Sequence, residues 1–286
     1  YANVGDMSNS GVEFELSGDI VRTKNVTWNV SLNATHVKNK VTYLADEFKT
    51  DKQGGYSGYV DGNYFVAEGL PLYTYYIRDY AGVGENGESM WYKDETDENG
   101  NVTGRTTTSV YTEGTRYLQE DTMPDLYGGF STSLSFYGVD MSIAFTYQLG
   151  GLVYDSGYAN FMASPYGSFV GSNFHKDLLN AWTPENSTSD IPRLQYDDQY
   201  TGSMSSRFLT DASYLNIQNI NVGYTLPSSF TQKFGVSSLR LYLACDNVTY
   251  WSKRRGLDPR YSFSGSSNFA NYSPIRTISG GVNIVF

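Results

Sequence analysis

Residues 126–149 carry the pattern that decides the fold, and they read LYGGFSTSLSFYGVDMSIAFTYQL. In 139–149 apolar side chains fill every second position, and mostly polar ones fill the positions between them. A period of two residues is that of a β-strand, because successive side chains point to opposite faces of the sheet. The dipeptide Tyr137-Gly138 separates this run from a similar one at 126–136. The stretch therefore predicts two antiparallel strands joined by a tight turn.

The same alternation recurs elsewhere along the chain. It predicts further strands at 11–21, 26–37, 211–226, 237–249 and 274–286. Strands of about 9–11 residues match a tilted crossing of a bilayer, whereas strands of soluble proteins average about five or six residues. The apolar phase slips once, inside the third of these five runs, 211–226. The slip predicts either a β-bulge or a strand that continues above the membrane.

The connections between the runs alternate between short and long. Tight turns join the first run to the second and 126–136 to 139–149. Long connections follow at about 38–125, 150–210 and 250–273. Bacterial outer-membrane barrels have short periplasmic turns and long extracellular loops. If Phe286 lies on the periplasmic side, every tight turn is periplasmic and every long connection is extracellular. The pattern predicts an all-β fold, an antiparallel transmembrane β-barrel, with a hairpin near 73–80 in the first external loop.

Composition excludes several other classes. The formal net charge is −10, whereas a nucleic-acid partner requires a basic face. Cys245 is the only cysteine, so neither an intrachain disulfide nor a CxxC metal pair can form. His36 and His175 have no partner at a catalytic or metal-ligand spacing. We therefore expect no enzyme activity, no metal, no cofactor and no nucleic acid.

Short motifs spread over nearly the whole chain carry a family resemblance. They are NSGVE at 9–13, EGLP at 68–71, PDLYGGF at 124–130, SYLNIQNINVGYTLP at 213–227, DNV at 246–248, GLDP at 256–259 and VNIVF at 282–286. In their order and spacing they resemble the SusC/RagA-like TonB-linked outer-membrane transporter family. Asn216 departs from the family pattern, which usually has arginine at that position.

The resemblance implies a fragment of a TonB-dependent transporter barrel of about 22 strands, a multi-pass protein of the outer membrane. Residues 1–286 would be the C-terminal portion of the barrel, with the plug domain absent, and the chain opens at Tyr1 in mid-pattern. The implied function is import of a nutrient, a glycan or a peptide, with a SusD-like surface lipoprotein. The TonB complex would be contacted through the missing N-terminal region. An odd number of predicted strands also favours a fragment, because single-chain bacterial barrels close with an even number.

Two sets of residues are candidate sites. The first set, in the long loops, has flat aromatic faces that suit sugar or peptide binding but that also suit loop packing or an interfacial girdle. Its members are Tyr154, Tyr158, Trp182, Tyr196 and Trp251. The second set alternates along the last strand and predicts a signal for the barrel assembly machinery, besides contact with outer-membrane lipid. Its members are Ile278, Val282, Ile284 and Phe286.

Two other functions remain open from the residues alone. A soluble carbohydrate-binding β-sandwich would bury the apolar faces of its strands against each other. A porin or adhesion barrel without energy coupling would have the same strand pattern and no segment that contacts TonB.

Overall fold

The computed structural model describes residues 4–166, 170–261 and 274–286. Part of the predicted connection at about 250–273, namely 262–273, therefore lies outside the described residues. Strands dominate the fold. In chain order they are β1 (Gly5–Arg22), β2 (Val26–Leu44), β3 (Asp51–Gln53), β4 (Tyr56–Asp61), β5 (Tyr64–Ala67), β6 (Thr74–Arg78), β7 (Tyr80–Val83), β8 (Ser89–Thr96), β9 (Val102–Thr108), β10 (Arg116–Asp121), β11 (Leu126–Phe136), β12 (Val139–Leu149), β13 (Leu152–Tyr154), β14 (Leu209–Asp211), β15 (Tyr214–Thr225), β16 (Ser238–Ser252) and β17 (Thr277–Val285).

The helical segments are short. The α-helices are α1 (Ser156–Phe161) and α2 (Ser228–Thr231). Single 3-10 turns cover Asp46–Phe48, Tyr111–Glu113, Lys176–Asn180, Pro184–Asn186, Ser206–Phe208, Gln232–Phe234 and Pro259–Tyr261. Among the described residues, no helix has both the length and the apolar character to cross a bilayer.

Seven long strands form one antiparallel sheet, called the main sheet below, in the order β1-β2-β11-β12-β15-β16-β17. The two-residue alternation predicts each of these strands, and the all-β fold is confirmed. β1 and β2 pair beyond their predicted ends, as far as Gly5 and Leu44. Within the described residues, β1 and β17 each pair on one side only. The main sheet is therefore open at both edges.

The turn between β11 and β12 is a two-residue hairpin. Its residues both have positive φ, 49° at Tyr137 and 88° at Gly138, which is the type I′ pattern that matches the twist of the flanking strands. A Cβ at Gly138 would lie 2.7 Å from the carbonyl oxygen of Thr225 on the next strand. Glycine is thus needed there for space as well as for φ. The turn fixes the register that places Phe136 opposite Val139.

A β-bulge interrupts β15 at Gln218. Phe145 lies opposite Ile217 and Ala144 lies opposite Asn219, so the pairing with β12 skips Gln218. The pairing with β16 shifts at the same place. The extra residue returns the apolar side chains on both sides of it to one face of the sheet. Of the two explanations for the phase slip, the bulge is confirmed.

Residues 45–125 and the described residues of 150–213, namely 150–166 and 170–213, pack together at one end of the main sheet and are called the loop assembly below. The first segment holds a five-stranded sheet of order β10-β6-β5-β4-β3 and a three-stranded sheet of order β7-β8-β9. In the second segment, β13 pairs with β14. The predicted hairpin near 73–80 is wrong in its pairing, because β6 and β7 belong to different sheets and β6 lies between β5 and β10.

A buried cluster joins the two segments of the loop assembly. Its members are Tyr75, Ile77, Tyr154, Ala159, Met162 and Phe208. The phenol oxygen of Tyr75 accepts a hydrogen bond from the backbone N–H of Tyr154 at 3.2 Å. Burial of each large side chain of this kind stabilises a fold by about 1.5–3 kcal/mol. The loop assembly therefore has a core of its own, separate from the main sheet.

Candidate functional site

The main sheet has an apolar face that crosses its strands in register. One row runs from Leu16 through Leu32, Phe130 and Phe145 to Ile217, on five adjacent strands. The rings of Phe130 and Phe145 stack at 4.1 Å between centroids. Leu16 is 60% exposed, although it is one of the larger apolar side chains of the sheet. A continuous exposed band of this kind is stable against hydrocarbon rather than water, as on the outside of a membrane barrel.

The opposite, polar face carries charged and amide side chains that pair with one another. Arg240 on β16 donates from Nε to Oδ1 of Asp140 on β12 at 2.9 Å, across the intervening strand. Asn219 on β15 donates to the Asp246 carboxylate at 2.6 Å. These groups need water or polar partners, because an unpaired charge is costly in hydrocarbon. The two faces together have the polarity of a barrel wall with a hydrated interior.

An ion pair connects the chain after β16 to the loop assembly. It lies at the end of the main sheet that carries the loop assembly, called the mouth below. Arg254 donates to Asp155 Oδ2 from Nε at 2.8 Å and also from Nη2. The Asp155 side chain is only 6% exposed, and its Oδ1 accepts the backbone N–H of Tyr158 at the start of α1. The Arg254 guanidinium lies 4.4 Å from the centre of the Tyr158 ring. One carboxylate therefore caps a helix and anchors a neighbouring loop.

Tyr158 is held on several sides in this mouth region. Its hydroxyl donates to Oδ2 of Asp177 at 2.9 Å, and its ring meets those of His175 and Phe208 edge-on. Burial, followed by the Asp177 carboxylate, raises the pKa of the Tyr158 phenol to about 12. The hydroxyl thus stays protonated and available as a donor at neutral pH.

Arg207 lies behind this region with its guanidinium among aromatic rings. It is 5.4 Å from the ring centre of Tyr80 and 4.9 Å from that of Phe208. Its Nη1 donates to the carbonyl oxygen of Thr201 at 3.0 Å, and burial lowers the pKa of the guanidinium. Sequence reasoning misses Arg207 as well as the Asp155–Arg254 pair, because neither occurs in a local motif.

Two of the five predicted ligand-contact residues have positions that suit other roles as well. Tyr154 is 6% exposed and belongs to the buried cluster, so its ring supports the loop core. Trp251 is 54% exposed, but it lies opposite Leu215 in a row of the apolar face. That position suits a girdle residue at the membrane interface. Tyr154 thus suits loop packing, whereas Trp251 suits a girdle and also lines a cavity at the end of β15 and β16. Ligand contact stays a prediction for both residues.

The other three residues remain in the loop assembly. Tyr158 is half-buried behind the pair described above. Trp182 is also half-buried, and its ring lies against Gly87, since a Cβ there would come within 2.3 Å of it. Tyr196 is 70% exposed. The structure does not bring these three into one cluster.

The four predicted assembly-signal residues share the apolar face at its edge. Ile278, Val282 and Ile284 lie on β17 opposite Cys245, Leu241 and Leu239. Their exposure ranges from 48% at Ile284 to 87% at the terminal Phe286.

Among the described residues, no group of three or more His, Cys, Asp or Glu side chains is arranged to hold a metal ion.

Comparison with known proteins gives consistent relatives. The TonB-dependent receptor P3 of Formosa agariphila is 26% identical over 306 aligned positions, covering 99% of this chain and 29% of the receptor. The TonB-dependent receptor SusC of Bacteroides thetaiotaomicron is 26% identical over 267 positions, covering 90% of this chain and 24% of SusC. No family model matches the sequence.

Solved structures agree with these relatives. A structure of the RagAB peptide transporter superposes with a TM-score of 0.79 at 26% identity, covering 99% of this chain and 30% of the solved chain. The RagAB peptide importer in its open-open state gives a TM-score of 0.78 and also 26% identity. The matched proteins are named as receptors, a transporter or an importer, which is in keeping with the expectation of no enzyme. The chain spans between 24% and 31% of the length of the curated relatives. It is therefore a homologue of the SusC/RagA-type TonB-dependent receptors and corresponds to part of their β-barrel.

Proposed function

We propose that this chain forms part of the wall and mouth of a TonB-dependent outer-membrane transporter that imports a nutrient. The cargo would be a glycan or a peptide, delivered with a SusD-like surface lipoprotein. The observation that carries the proposal is the exposed apolar face of the main sheet, backed by a polar face with its own ion pairs. Such a sheet matches a wall with lipid outside and water inside.

The two alternative functions fit less well. A soluble β-sandwich would cover the apolar face with a second sheet, yet Phe14 and Leu243 on that face are 53% and 66% exposed. A porin without energy coupling would have the same wall, but the matched relatives are named as TonB-dependent receptors. Both points favour the energised transporter.

In this proposal the polar face and the loop assembly have different roles. The polar face, with Asp140 and Arg240, would contact water or a plug domain inside the barrel. The loop assembly would meet the cargo and the lipoprotein, and Tyr196 is the most exposed of the five predicted aromatic contacts. The peptide cargo of RagAB is a property of that protein, and it makes a peptide one of the two cargoes to test first.

The last strand would also serve assembly. β17 is an edge strand whose outer edge is free in the described residues, and Phe286 with Ile284 extends its exposed apolar side. A free edge can be read by strand addition. We propose that the barrel assembly machinery recognises Ile278, Val282, Ile284 and Phe286. Replacing Phe286 by Ser should slow membrane insertion of the full-length protein, while Val285→Ser, one position away in the alternation, should leave it unchanged.

The lipid-facing assignment has a direct test. Single cysteines with an environment-sensitive fluorophore are placed at 142, 143, 144 and 145 in full-length protein whose Cys245 is replaced by Ala. Reconstitution into brominated lipid should quench the label at 143 and 145 and spare it at 142 and 144. Equal quenching at all four positions would overturn the proposal.

The transport assignment needs a cellular test. Uptake of fluorescent oligosaccharides and peptides is measured in the native host with and without TonB, and with and without the neighbouring lipoprotein. The proposal expects uptake that requires both. Uptake of the same size independent of TonB would favour the porin, and absence of any uptake that depends on the full-length protein would refute a transporter.

A further inference from the structure

A cavity of about 630 Å³ opens at the mouth end of β15 and β16. Its described lining includes Asn216, Tyr250 and the arginines Arg254, Arg255, Arg260 and Arg276. A volume of this size lies within the range of small-molecule sites, about 300–1,000 Å³. Four guanidinium groups thus converge on one concave site in a chain whose net charge is −10. The described lining contains no carboxylate.

Two of these arginines are already neutralised by the protein. Arg254 pairs with Asp155, as described above. Arg260 forms a two-pronged pair with Asp258, from Nε at 2.7 Å and from Nη2 at 2.6 Å, and lies over the Tyr250 ring. These two are held in place by their partners and shape the wall of the cavity. Their charge is not free for a ligand.

The other two arginines carry uncompensated charge. Neither Arg255 nor Arg276 forms an ion pair with any described residue, and both residues are exposed and line the cavity. Arginine presents a planar fork that matches a carboxylate in bidentate geometry. Within its described lining, the cavity therefore has two charge-bearing donors and no carboxylate to pair with them.

Asn216 supplies an independent observation on the wall of the same cavity. It is 4% exposed, and its Nδ2 donates to Oγ1 of Thr146 at 3.1 Å. Its Oδ1 is buried without a hydrogen-bond partner. A buried polar atom in this state costs free energy until a partner arrives. Since a carboxamide can turn over without changing shape, Asn216 can offer either an acceptor or a donor to a bound molecule.

We propose that this cavity binds a carboxylate-bearing segment of the cargo. Arg255 and Arg276 would take the carboxylate, and Asn216 would bond an adjacent hydroxyl or amide of the same molecule. The inference rests on the proposed transport function and narrows the cargo to an anionic one. A uronic-acid oligosaccharide and a glutamate-rich peptide both supply this chemistry, and the test separates them.

The experiment uses purified full-length protein together with its lipoprotein. Calorimetric titration compares trigalacturonate with its methyl ester, and triglutamate with triglutamine. The R255Q/R276Q double variant should weaken binding of the preferred acidic ligand by at least about tenfold, and added salt should weaken binding to the wild type. Lys253→Gln is the matched control, because Lys253 is an exposed cation of the same segment that does not line the cavity. It should change affinity by less than about twofold.

Asn216→Ala tests the second contact without altering charge. It should weaken binding of the acidic ligand by about three- to tenfold. It should change the melting temperature only slightly, since removal of the unpaired buried oxygen offsets loss of the hydrogen bond to Thr146. In a protein that already carries R255Q/R276Q, Asn216→Ala should reduce the affinity only slightly further. Such non-additivity is expected for groups that contact one bound molecule.

Several outcomes would overturn the inference. Equal affinity for acid and methyl ester, equal loss in Lys253→Gln and the double variant, or no binding of either acidic probe would each do so. So would a double variant that loses only co-purified lipopolysaccharide, because the site would then hold lipid phosphate. If neutral cargo still enters by a TonB-dependent route, this inference fails and the proposed function stands. If no TonB-dependent uptake exists at all, the proposed function fails first.

Discussion

The main sheet and the loop assembly treat apolar side chains in opposite ways. On the sheet, Leu243 is 66% and Ile278 is 74% exposed, whereas in the loop assembly Phe65 is fully buried and Ile77 is 1% exposed. Both regions use the same residue types, so the difference lies in the solvent that each region is built for. The sheet leaves its apolar surface for hydrocarbon, while the loop assembly must bury its own against water. The substitution that destabilises most should therefore differ between the two regions, a cavity in the loop assembly and a charge on the sheet.

The largest effect is expected in the core of the loop assembly. Phe208→Ala removes a ring that is 2% exposed and packs against Tyr154 and Tyr158. We expect a loss of about 3–5 kcal/mol in the local stability of the loop assembly, measured as faster amide hydrogen exchange in 150–166 and 170–213. Phe161→Ala, at a ring that is 41% exposed, is the control and should have a small effect. Equal acceleration in both variants would mean that the loops have no core.

The next effect tests the sheet, where a charge rather than a cavity is the strong perturbation. Phe145→Arg places a guanidinium on the apolar face near the middle of β12 and should cost about 2–4 kcal/mol, measured by urea unfolding in bilayers. Ser142→Arg is the control, in preference to the nearer polar-face residue Thr146, because Thr146 is hydrogen-bonded to Asn216. Ser142 lies on the polar face and should tolerate arginine. If the two variants are equally stable, the facing of the strand is wrong.

A smaller effect should appear at the link between the two regions. Asp155→Asn leaves Arg254 without its carboxylate, and we expect a loss of about 1–3 kcal/mol, less than for a fully buried pair since Arg254 is 28% exposed. The measurement is protease cleavage after 253–255 in the full-length protein. Asp46→Asn breaks a pair with Lys49 in which Asp46 is 96% exposed, and it should not change cleavage. Protection that survives in Asp155→Asn would show that the pair does not anchor the loop.

The smallest effect concerns one hydroxyl. Tyr158→Phe removes the bond to Asp177 and should cost about 0.5–1.5 kcal/mol. The folded-state pKa of Tyr158 is raised from its ordinary value of 10.0 to about 12. The stabilisation is therefore complete below pH 10 and is lost as the pH rises towards 12. Thermal melting of the wild type across this range should show a pH-dependent loss that is reduced in Tyr158→Phe. Identical pH profiles would assign the loss to other tyrosines.

The strands of the main sheet could be read from the sequence because lipid and water act on each strand separately. Alternation within 139–149 suffices to place both faces of β12, without knowledge of its neighbours. The bulge at Gln218 is also local, since the change of apolar phase is visible within 213–224. The resemblance to the SusC/RagA-like family rests on the same stretches, and the homologues agree with it.

The loop assembly could not be read in this way, because its contacts join distant residues. Asp155 and Arg254 are 99 positions apart, and Tyr75 and Tyr154 are 79 apart. No period or motif connects such partners. An aromatic residue in a long loop can serve as core, girdle or ligand contact, and residue type alone did not separate Tyr154 and Trp251 from Tyr196.

The bulge at Gln218 changes which residues of β15 face lipid, because the two-residue alternation shifts by one position there. Before it, odd-numbered residues such as Leu215 and Ile217 meet hydrocarbon, and after it even-numbered ones such as Val222 do. Deleting Gln218 would change the composition very little. It would, however, move the side chains of one half of β15 to the opposite face of the sheet, so that asparagines would face the bilayer. In the evolution of this wall, the loss of a single codon at this point would be harsher than most replacements of a side chain.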